Sequence, residues 1–493
     1  MRASLPGNVV SPRPIRNQRV IYDVLYGFIP ITEWEEQIIN SPFFQRLRWI
    51  KQLGFSNYIF PGAEHNRFAH VIGVMHSMDQ MIRALGIAVP DHELFDRRAT
   101  NPAAMLHKSL RISALLHDLG TFPFSHAIEH AYIRHGNDTR RPRATGSKHS
   151  GKTPKALPNN HEHLGSFIIK NTPYAGGITR ILEDFEFDIQ LISDIIKGES
   201  RYLIANQLMH SDLDADRMDY LLRDSHYTGI KYGQFDREYI LANLSTFDAG
   251  DGQLAFGVRE NAIHALEDFL IARFSWYSQV IKNPGSAKFD IMSSHIAEAL
   301  LEDDLIYQFH DLLDMIFAGD ERFFWFNDVY FMNRLQEVRL GKKVKDRKTS
   351  ELIEMLLYRK PPKTLLHPLF QHRILKCDVD DREKQQLTSK IQEKVSEFER
   401  ILKRHGKGRA WILADIPKKD VVFTRGLAQL TKKGSPTLDQ ESVKIISKSG
   451  KPSLLVQREN ALMKHLSGFI NFVPSVYAND LAVELLRKRR LIP

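Results

Sequence analysis

The amino-acid sequence predicts a mainly α-helical protein with small β additions and a mixed C-terminal region. Apolar residues recur at helical spacing in most segments, whereas the strict alternation typical of strands is scarce. The composition, with 43% hydrophobic and 26% charged residues, is ordinary for a globular protein. The 493 residues are enough for two or three domains and a large core.

Two segments show the helical pattern clearly. Residues 70–87, HVIGVMHSMDQMIRALGI, place on one side Ile72, Met75, Met78, Ile82 and Leu85. Residues 262–277, AIHALEDFLIARFSWY, bring together Leu266, Phe269, Leu270 and Phe274. The best strand candidates are QLAFGVR at 253–259 and RAWILADI at 409–416.

Turn-rich segments without apolar periodicity divide the chain. They lie at 138–160, 247–253 and 431–453. The first is rich in Arg, Lys, Gly, Ser and Pro, and we interpret it as a mobile basic insertion. These breaks predict a helical domain over 1–245, its helical continuation over 246–345 and a mixed α/β region over 346–493.

Net charge and cysteine content restrict the function classes. A net charge of +9 favours an anionic partner, such as a nucleotide, nucleic acid or acidic lipid, although a merely basic protein is the simpler explanation. The single cysteine, Cys377, excludes disulfides within the chain and zinc sites built on thiolates. It fits a reducing compartment, so we expect a cytoplasmic protein. No signal-peptide core and no stretch near the roughly 20 apolar residues of a membrane helix is present, so we expect no membrane insertion.

Several histidines and aspartates lie next to or within apolar helical segments, and their presence there needs a chemical explanation. His117 and Asp118 follow the apolar run at 112–116, and His70 starts an amphipathic helix. Asp216 lies in an acidic run, DLDADRMDYLLRD. Taken alone, each feature has a simple origin: a His-Asp pair arises by chance, and an acidic run is usually a solvated helix face. A buried imidazole beside a buried carboxylate, however, costs several kcal/mol unless the two are paired or metal-bound.

Two histidines and two aspartates contributed by three helices would form a mixed nitrogen and oxygen ligand set. Such a set suits Fe, Mn, Zn, Co or Mg, and it does not decide among them. With few protein ligands, the ion keeps open positions for water and substrate oxygens. The expected chemistry is activation of water and neutralisation of phosphate charge, that is, hydrolysis of a phosphate ester or anhydride.

Several motifs in the same order resemble the HD-domain phosphohydrolases, in particular their branch of deoxynucleoside triphosphate (dNTP) triphosphohydrolases. The resemblance covers about residues 21–230 and continues weakly to about 290. Its motifs are YDVLYGFIPIT, FQRLRWIKQLGFSNYIFPGAEHNRFAHVIGV, LLHDLGTFPFSH and DADRMDYLLRDSHYTGI. In the first motif Tyr26 stands where the family usually has a histidine. The resemblance implies an HD-domain helical core.

The resemblance also implies roles for individual residues. The metal ligands would be His70, His117, Asp118 and Asp216. The catalytic group would comprise His126 as proton donor, His161 near the phosphates and Glu129 in place of the common aspartate, with His163 as a weaker alternative to His161.

For the substrate, the resemblance implies contacts along the whole nucleotide. Arg67 would face a phosphate, where a guanidinium binds in a bidentate manner, and Gln52 would lie near the sugar. The remaining contacts would come from Arg217, Tyr220, Asp224 and Arg273, with Asp224 accepting from the 3′-hydroxyl. Surface ion pairing of Arg67 and core packing of Tyr220 are the simpler explanations of those two residues.

Three departures from the family pattern affect the expected pocket. Thr121 replaces a histidine that usually contacts the α-phosphate, Phe122 replaces a glycine, and Ile281 stands near the position of a nucleotide-binding tyrosine. Loss of one donor near a phosphate costs on the order of 1–3 kcal/mol of transition-state stabilisation. Phe122 is equally compatible with closing the pocket, stacking on a base or packing in the core.

The leading hypothesis is therefore a metal-dependent hydrolase that releases triphosphate from a dNTP. One alternative is a nuclease or phosphodiesterase with the same metal, which the basic charge favours. Another is a nucleotide-sensing protein with weakened catalysis, which Thr121 favours. The expected partners are a nucleotide substrate, nucleic acid under the nuclease hypothesis, and, from the family resemblance, further copies of the chain in a homo-oligomer.

Overall fold

A computed structural model describes residues 19–136, 158–376, 382–416, 421–424 and 441–493. The predicted basic insertion at 138–160 lies outside these residues except for its last three, and so do Cys377, the N-terminal segment at 1–18 and much of the 431–453 break. Among the described residues, no helix combines the length and apolarity needed to cross a membrane.

The structure is mainly helical, as predicted. In the N-terminal half the helices are α1 (Glu33–Asn40), α2 (Pro42–Gln45), α3 (Arg67–Ala84), α4 (Asp91–Leu94), α5 (Pro102–Leu116), α6 (His126–Gly136), α7 (His161–Lys170), α8 (Ile178–Asp184), α9 (Ile189–Lys197), α10 (Leu203–His210), α11 (Ala215–Thr228) and α12 (Arg237–Ala242). They continue with α13 (Ile263–Trp276), α14 (Pro284–Glu302), α15 (Phe309–Ala318), α16 (Asp328–Leu340), α17 (Arg347–Leu357), α18 (Arg382–His405), α19 (Met463–Leu466) and α20 (Asp480–Lys488).

Short strands form four small sheets. The strands are β1 (Arg19–Asp23), β2 (Gly27–Ile31), β3 (Leu244–Asp248), β4 (Leu254–Arg259), β5 (Lys363–Thr364), β6 (Arg373–Lys376), β7 (Ile412–Asp415), β8 (Val421–Val422), β9 (Lys444–Ile446), β10 (Pro452–Leu454), β11 (Phe469–Phe472) and β12 (Ser475–Ala478). The sheet orders are β1-β2, β10-β9-β4-β3, β6-β11-β8 and β5-β12-β7. Both predicted strands exist, as β4 and β7. The hairpin β1-β2 was not predicted.

Helix α3 lies at the centre of the helical part and explains why the site forms there. Asn66 caps its N-terminus by accepting a hydrogen bond from Ala69 N. The predicted apolar stripe of α3 is buried, and the helix packs against both α5 and α11. Because the first turn of α3, the end of α5 and the first turn of α11 meet, residues far apart in sequence reach one point.

The apolar core extends across both halves of the chain. The largest cluster of buried apolar side chains runs from Ile29 in the N-terminal hairpin to Tyr477 in β12. A smaller cluster, built around Ile391, Phe398 and Val476, lies within the C-terminal region. Strand β9 pairs in parallel with β4, so the C-terminal region also completes a sheet begun by the central part. This region is mixed α and β, as expected.

A buried ionic group joins α1, α3 and α5 behind the site. Arg111 on α5 is 1% exposed, and its Nε and Nη2 donate to Glu35 on α1 at 2.7 and 2.9 Å. Its Nη1 lies 3.0 Å from Oδ1 of Asp79 on α3. Although burial opposes ionisation, Arg111 holds the pKa of Asp79 below its ordinary value. Arg83 and His107 also contact Asp79, whereas Glu35 depends on Arg111 for its positive partner.

This arrangement predicts a large loss of stability for Arg111→Leu. The substitution leaves the buried Glu35 without its cation and removes one of the partners of Asp79, which we expect to lower the free energy of unfolding by about 3–5 kcal/mol. Equilibrium urea denaturation followed by circular dichroism measures the change. Arg83→Ala is the control, because Arg83 binds the same Asp79 from a side chain that is 35% exposed, and its loss should be below about 1 kcal/mol. Equal losses in the two variants would contradict the prediction.

Candidate active site

Four side chains from three helices converge around one point. His70 comes from the first turn of α3, His117 and Asp118 follow the end of α5, and Asp216 lies in the first turn of α11. Nε2 of His70 lies 3.1 Å from Oδ1 of Asp216 and 3.7 Å from Oδ2 of Asp118. Nε2 of His117 lies 3.7 and 3.8 Å from the same two oxygens. His70, His117 and Asp216 therefore turn one atom each to a common centre, and Oδ2 of Asp118 lies at its edge, 3.7 Å from both imidazole nitrogens.

The outer nitrogens of both histidines are already occupied. Nδ1 of His70 lies 2.8 Å from Oδ2 of Asp219, and Nδ1 of His117 lies 2.8 Å from the carbonyl oxygen of Ala114. Since a carbonyl or carboxylate only accepts, each Nδ1 carries the proton and each Nε2 offers its lone pair inward. Nε2 of His70 is buried and has no hydrogen-bond partner among the described residues. This donor set fits a divalent cation.

Charge and exposure at this centre also suit a cation. Although burial opposes ionisation, Arg67, His117 and His70 hold the pKa of Asp118 well below its ordinary value. Burial lowers the pKa of His70, but the nearby carboxylates of Asp216 and Asp219 outweigh it and raise that pKa to about 9. A proton and a metal ion would therefore compete for His70. The Asp216 side chain is 33% exposed, so the centre opens to solvent on that side.

A second layer of charge fixes His70 from behind. Asp219 accepts from Nε and Nη2 of Arg223 at 2.8 and 2.9 Å, and Nη1 of Arg223 donates to Asp23 at 2.9 Å. Asp23 lies at the turn of the β1-β2 hairpin. Gly73 makes the close approach possible, because a Cβ there would lie 1.9 Å from Oδ1 of Asp219. His70, Asp219, Arg223 and Asp23 thus form a continuous buried chain, which we call the His70 support chain.

Arg67 lies at the inner edge of the centre. Its Nη1 donates to Oδ2 of Asp118, and its Nε donates to Oγ of Ser125 at 3.1 Å. Its side chain is buried rather than a surface ion pair. The guanidinium is thus held in one orientation beside a predicted metal ligand.

The predicted catalytic residues form a hydrogen-bonded triad on α6 and α7. Nδ1 of His126 lies 2.6 Å from Oε2 of Glu129, and Nδ1 of His161 lies 2.5 Å from Oε1 of the same carboxylate. Glu129 therefore bridges the two imidazoles, whose ring centres are 5.4 Å apart. Burial lowers the pKa of His161, but its hydrogen bond with Glu129 raises it more. Both Nε2 atoms remain available for proton transfer or phosphate contact.

Gly120 brings this triad close to the metal ligands. A Cβ at Gly120 would lie 2.2 Å from the carbonyl oxygen of His161 and 2.3 Å from N of Gly165. Only glycine therefore lets α7 pack directly on the turn after α5. Gly120 thus has a packing role at the site.

A strained turn presents the start of α6. Phe124 and Ser125 have φ angles of 50° and 55°, in the left-handed region that is unfavourable for side chains of this size. Asp328 holds the turn by accepting from Phe124 N at 2.6 Å, and Ser125 donates to the carbonyl oxygen of Lys51 at 2.7 Å. Burial raises the pKa of Asp328 to about 7. The turn sets the direction of His126, whose side chain is 60% exposed.

The predicted sugar contacts lie at another edge of the centre. Gln52 and Asp224 are buried, and each has an oxygen without a hydrogen-bond partner among the described residues. Asp224 is paired with His65 at 2.7 Å. Tyr220 packs on Trp276 with ring centres 4.7 Å apart, and burial raises its pKa. These contacts do not test whether Tyr220 binds the substrate, so that role stays a prediction.

The two outer arginines are engaged by carboxylates. Arg217 donates to Asp214 and to the carbonyl oxygen of Ser211. Nη1 of Arg273 donates to Asp212 at 3.0 Å, while its Nη2 donates at 2.8 Å to the carbonyl oxygen of Phe423. In this state neither guanidinium is presented freely to a phosphate, so their substrate roles also stay predictions.

The positions that depart from the family pattern have structural roles. Thr121 donates its hydroxyl to the carbonyl oxygen of Asp118 at 2.7 Å, and Phe122 is fully buried against Tyr132. Phe122 therefore packs in the core. Ile281 ends a π-helical turn after α13. His163 lies near the carbonyl oxygen of Pro158, so His161 is the residue that joins Glu129.

Sequence reasoning gave no role to several residues that shape the site. Asp219 and Arg223 were visible as a carboxylate one turn after Asp216 and a cation one turn further, which is the spacing of neighbours on one helix face. His65 and Asp23 gave no such signal, because their partners lie 159 and 200 residues away in sequence.

Comparisons with known proteins place this geometry among its relatives. No family model matches the chain. The uncharacterized protein MJ1154 of Methanocaldococcus jannaschii is 31% identical over 325 residues, which are 66% of this chain and 59% of the relative. Human deoxynucleoside triphosphate triphosphohydrolase SAMHD1 is 26% identical over 335 residues, which are 63% of this chain and 47% of the relative. The chain thus spans only about half to three fifths of the length of these relatives.

Among solved structures, a phosphohydrolase from Bacteroides thetaiotaomicron aligns with a TM-score of 0.61 at 21% identity, covering 93% of this chain and 99% of that one. At this identity the likeness shows a shared fold. The similarity to SAMHD1 agrees with the ordered motifs around His70, His117, Asp118 and Asp216, so the chain is similar in sequence to the HD-domain phosphohydrolases of the dNTP triphosphohydrolase branch.

Proposed function

We propose that the protein is a metal-dependent phosphohydrolase whose substrate is a deoxynucleoside triphosphate, cleaved to the deoxynucleoside and triphosphate. The observation that supports it most is the convergence of His70, His117, Asp118 and Asp216 on one partly open point, where Nε2 of both histidines faces the carboxylates. When bound there, a divalent cation supplies a Lewis acid that polarises a phosphoryl oxygen and activates water. Its identity among Mn, Mg, Fe, Zn and Co is left open by the ligand set.

Different residues of the chain would orient the ligands, bind the phosphates and donate the proton. Asp219 and Ala114 fix the two imidazoles, so their lone pairs need no reorganisation when substrate binds. His161, whose pKa Glu129 raises, contributes positive charge toward a phosphate. In its imidazolium form His126 donates the Nε2 proton to the departing 5′-oxygen, while Glu129 accepts from Nδ1 and stabilises the positive charge of the ring.

A second candidate function follows from the state of the outer arginines. Arg217 and Arg273 are both paired with aspartates, so fewer cations face the distal end of a triphosphate. A phosphodiester, as in a nuclease, needs fewer such contacts. Tight nucleotide binding without turnover, as in a sensor, is the third candidate. We further propose a homo-oligomer, from the family resemblance, and a cytoplasmic location, from the single cysteine.

A substrate panel tests the proposed function. The purified protein is loaded with Mn²⁺ and incubated separately with each dNTP, each ribonucleoside triphosphate and single-stranded DNA, and triphosphate and nucleoside release are measured. We expect triphosphate release from at least one dNTP. Cleavage of DNA without dNTP turnover would replace the proposal with the nuclease, and binding without turnover would replace it with the sensor.

Within this panel, Asp118→Ala should abolish both bound metal and hydrolysis, because it removes a buried carboxylate ligand. Elemental analysis of the purified variant measures the metal. Asp314→Ala, at an exposed position on α15, is the control and should keep both. Turnover that survives Asp118→Ala would show that the metal centre is wrongly assigned.

The His70 support chain predicts a separate effect on metal affinity. In Asp219→Asn the neutral amide no longer balances Arg223 or strengthens His70 as a ligand, so we expect Mn²⁺ affinity to fall by about 10–100-fold. Competition with a fluorescent chelator measures it. Asp268→Asn, exposed on α13, serves as the control. Unchanged Mn²⁺ affinity in Asp219→Asn would refute a role of the His70 support chain in metal binding.

The triad predicts a change in pH dependence. Because Glu129 raises the pKa of His161, this imidazole stays protonated to higher pH, and kcat/KM should fall as pH rises through that pKa. Glu129→Gln removes the negative charge and should move this fall to lower pH by about one unit. Glu183→Gln, at an exposed position on α8, is the control. Identical pH profiles of kcat/KM for Glu129→Gln and the wild type would contradict the role of Glu129 as a bridge between the two histidines.

A further inference from the structure

The ends of α18 and α20 carry a concentration of positive charge that the proposed function does not use. Residues 403–409 and 487–490 contain eight Lys or Arg residues and no Asp or Glu. All eight side chains are exposed, and neither helix contributes a residue to the candidate active site. We call this set the basic patch; it consists of Lys403, Arg404, Lys407, Arg409, Arg487, Lys488, Arg489 and Arg490.

Apolar packing places the two helix ends side by side. Helix α18 packs against α20, and Leu402 and Leu486 are buried in the same apolar cluster of the C-terminal region. Desolvation and repulsion from the guanidinium groups of Arg489 and Arg404 lower the pKa of His405 below its ordinary value. Since Arg404 belongs to α18 and Arg489 directly follows α20, cations from both segments act on one imidazole. The eight charges therefore form one surface.

Carboxylates of the chain do not neutralise this surface. Lys488 pairs with Glu484 at 2.6 Å, whereas Arg487 and Arg489 donate to backbone carbonyl oxygens. Within the described ranges of the chain, none of the other five cations of the basic patch forms an ion pair. Clustered charges of one sign repel each other, and an anion that binds among them relieves the repulsion. The patch is thus suited to a partner with several negative charges.

Helix stability explains only part of the basic patch. A cation in the last turn of a helix interacts favourably with the helix dipole, which is the simpler explanation for the four cations inside α18 and α20. Lys407, Arg409 and Arg490, however, lie beyond the helix ends. Lys407 and Arg490 have φ angles of 47° and 56°, in the left-handed region that favours glycine. The backbone therefore does not account for the choice of Lys and Arg at these positions.

The side chains of the patch favour one class of partner. Five of the eight are arginines, whose planar guanidinium binds phosphate oxygens in a bidentate manner. Within 401–409 and 485–493 there is no exposed large apolar side chain to insert into a lipid surface. The same two ranges contain no Phe, Tyr or Trp to stack on the bases of a single strand. The patch therefore fits the phosphates of a double-stranded nucleic acid, which are regularly spaced whatever the base sequence.

We propose that the basic patch binds double-stranded nucleic acid through its phosphates, without preference for base sequence. This surface is separate from the candidate active site, so the inference does not depend on the proposed function. Binding through phosphates releases the counterions of the duplex, and the logarithm of the association constant therefore falls linearly with the logarithm of the salt concentration. Each phosphate contact contributes about 0.9 to the magnitude of that slope for a DNA duplex.

The test measures binding of the full chain, loaded with Mn²⁺, to a fluorescent DNA duplex by fluorescence anisotropy at several salt concentrations. The patch variant combines Lys407→Gln, Arg409→Gln and Arg490→Gln, at exposed positions beyond the helix ends. We expect its affinity to be at least about tenfold lower than that of the wild type, and the magnitude of its salt slope to be smaller by about two to three. Circular dichroism verifies that the variant is folded.

A matched control separates the basic patch from the net charge of the chain. The control variant combines Arg98→Gln, Lys197→Gln and Arg201→Gln, which remove the same charge from exposed positions in the N-terminal half. It should bind the duplex like the wild type. A second DNA duplex of unrelated sequence should bind the wild type with equal affinity. A parallel titration with an RNA duplex distinguishes a patch that accepts both kinds of backbone from one that accepts DNA alone.

Several outcomes would overturn this inference. A wild type that does not bind the duplex, a patch variant that binds it unchanged, or a control variant that loses as much affinity would each do so. Tighter binding of single-stranded DNA than of the duplex would also overturn it, as would patch-dependent binding only to vesicles that contain phosphatidylserine. Absence of dNTP hydrolysis in the wild type, by contrast, overturns the proposed function and leaves this inference intact.

Discussion

The site depends on one buried chain of charges, the His70 support chain. An imidazole ring can rotate, and a ligand that rotates binds a cation weakly. Asp219 prevents this rotation by accepting from Nδ1 of His70, and Arg223 prevents Asp219 from becoming an unpaired buried carboxylate. Arg223 in turn needs Asp23. Because no member can be removed without leaving a buried charge, the chain couples the N-terminal hairpin to the metal centre.

Close packing of the helices brings the proposed metal ligands near the triad of His126, Glu129 and His161. The proposed metal ligands lie on α3, directly after α5 and on α11, whereas the triad lies on α6 and α7. Gly120 permits contact between the turn after α5 and the start of α7, and the left-handed Phe124 and Ser125 turn the chain sharply into α6. Strain of this kind persists only where surrounding contacts compensate it, here through Asp328 and Lys51. The arrangement is therefore preorganised before substrate binds.

The sequence was sufficient for the features that local patterns encode. Helical periodicity predicted α3 and α13 with their buried faces, and the order of short motifs pointed to residues that the fold brings together, namely the four proposed metal ligands and the triad. It was insufficient where a role depends on contacts between distant segments. His65 looks like any polar loop residue until Asp224, 159 positions later, is placed beside it. The β1-β2 hairpin was missed because its strands are short and exposed Tyr22 and Phe28 hide the alternation.

The state of Arg273 connects the C-terminal region to the site. The carbonyl oxygen of Phe423 takes one end of this guanidinium and Asp212 takes the other, while Thr424 donates to the second oxygen of Asp212 at 2.6 Å. Phe423 also stacks on Phe274 with ring centres 3.9 Å apart. A phosphate that recruits Arg273 must compete with these contacts. The C-terminal segment at 421–424 therefore influences how far the phosphate pocket extends, in addition to its part in the C-terminal fold.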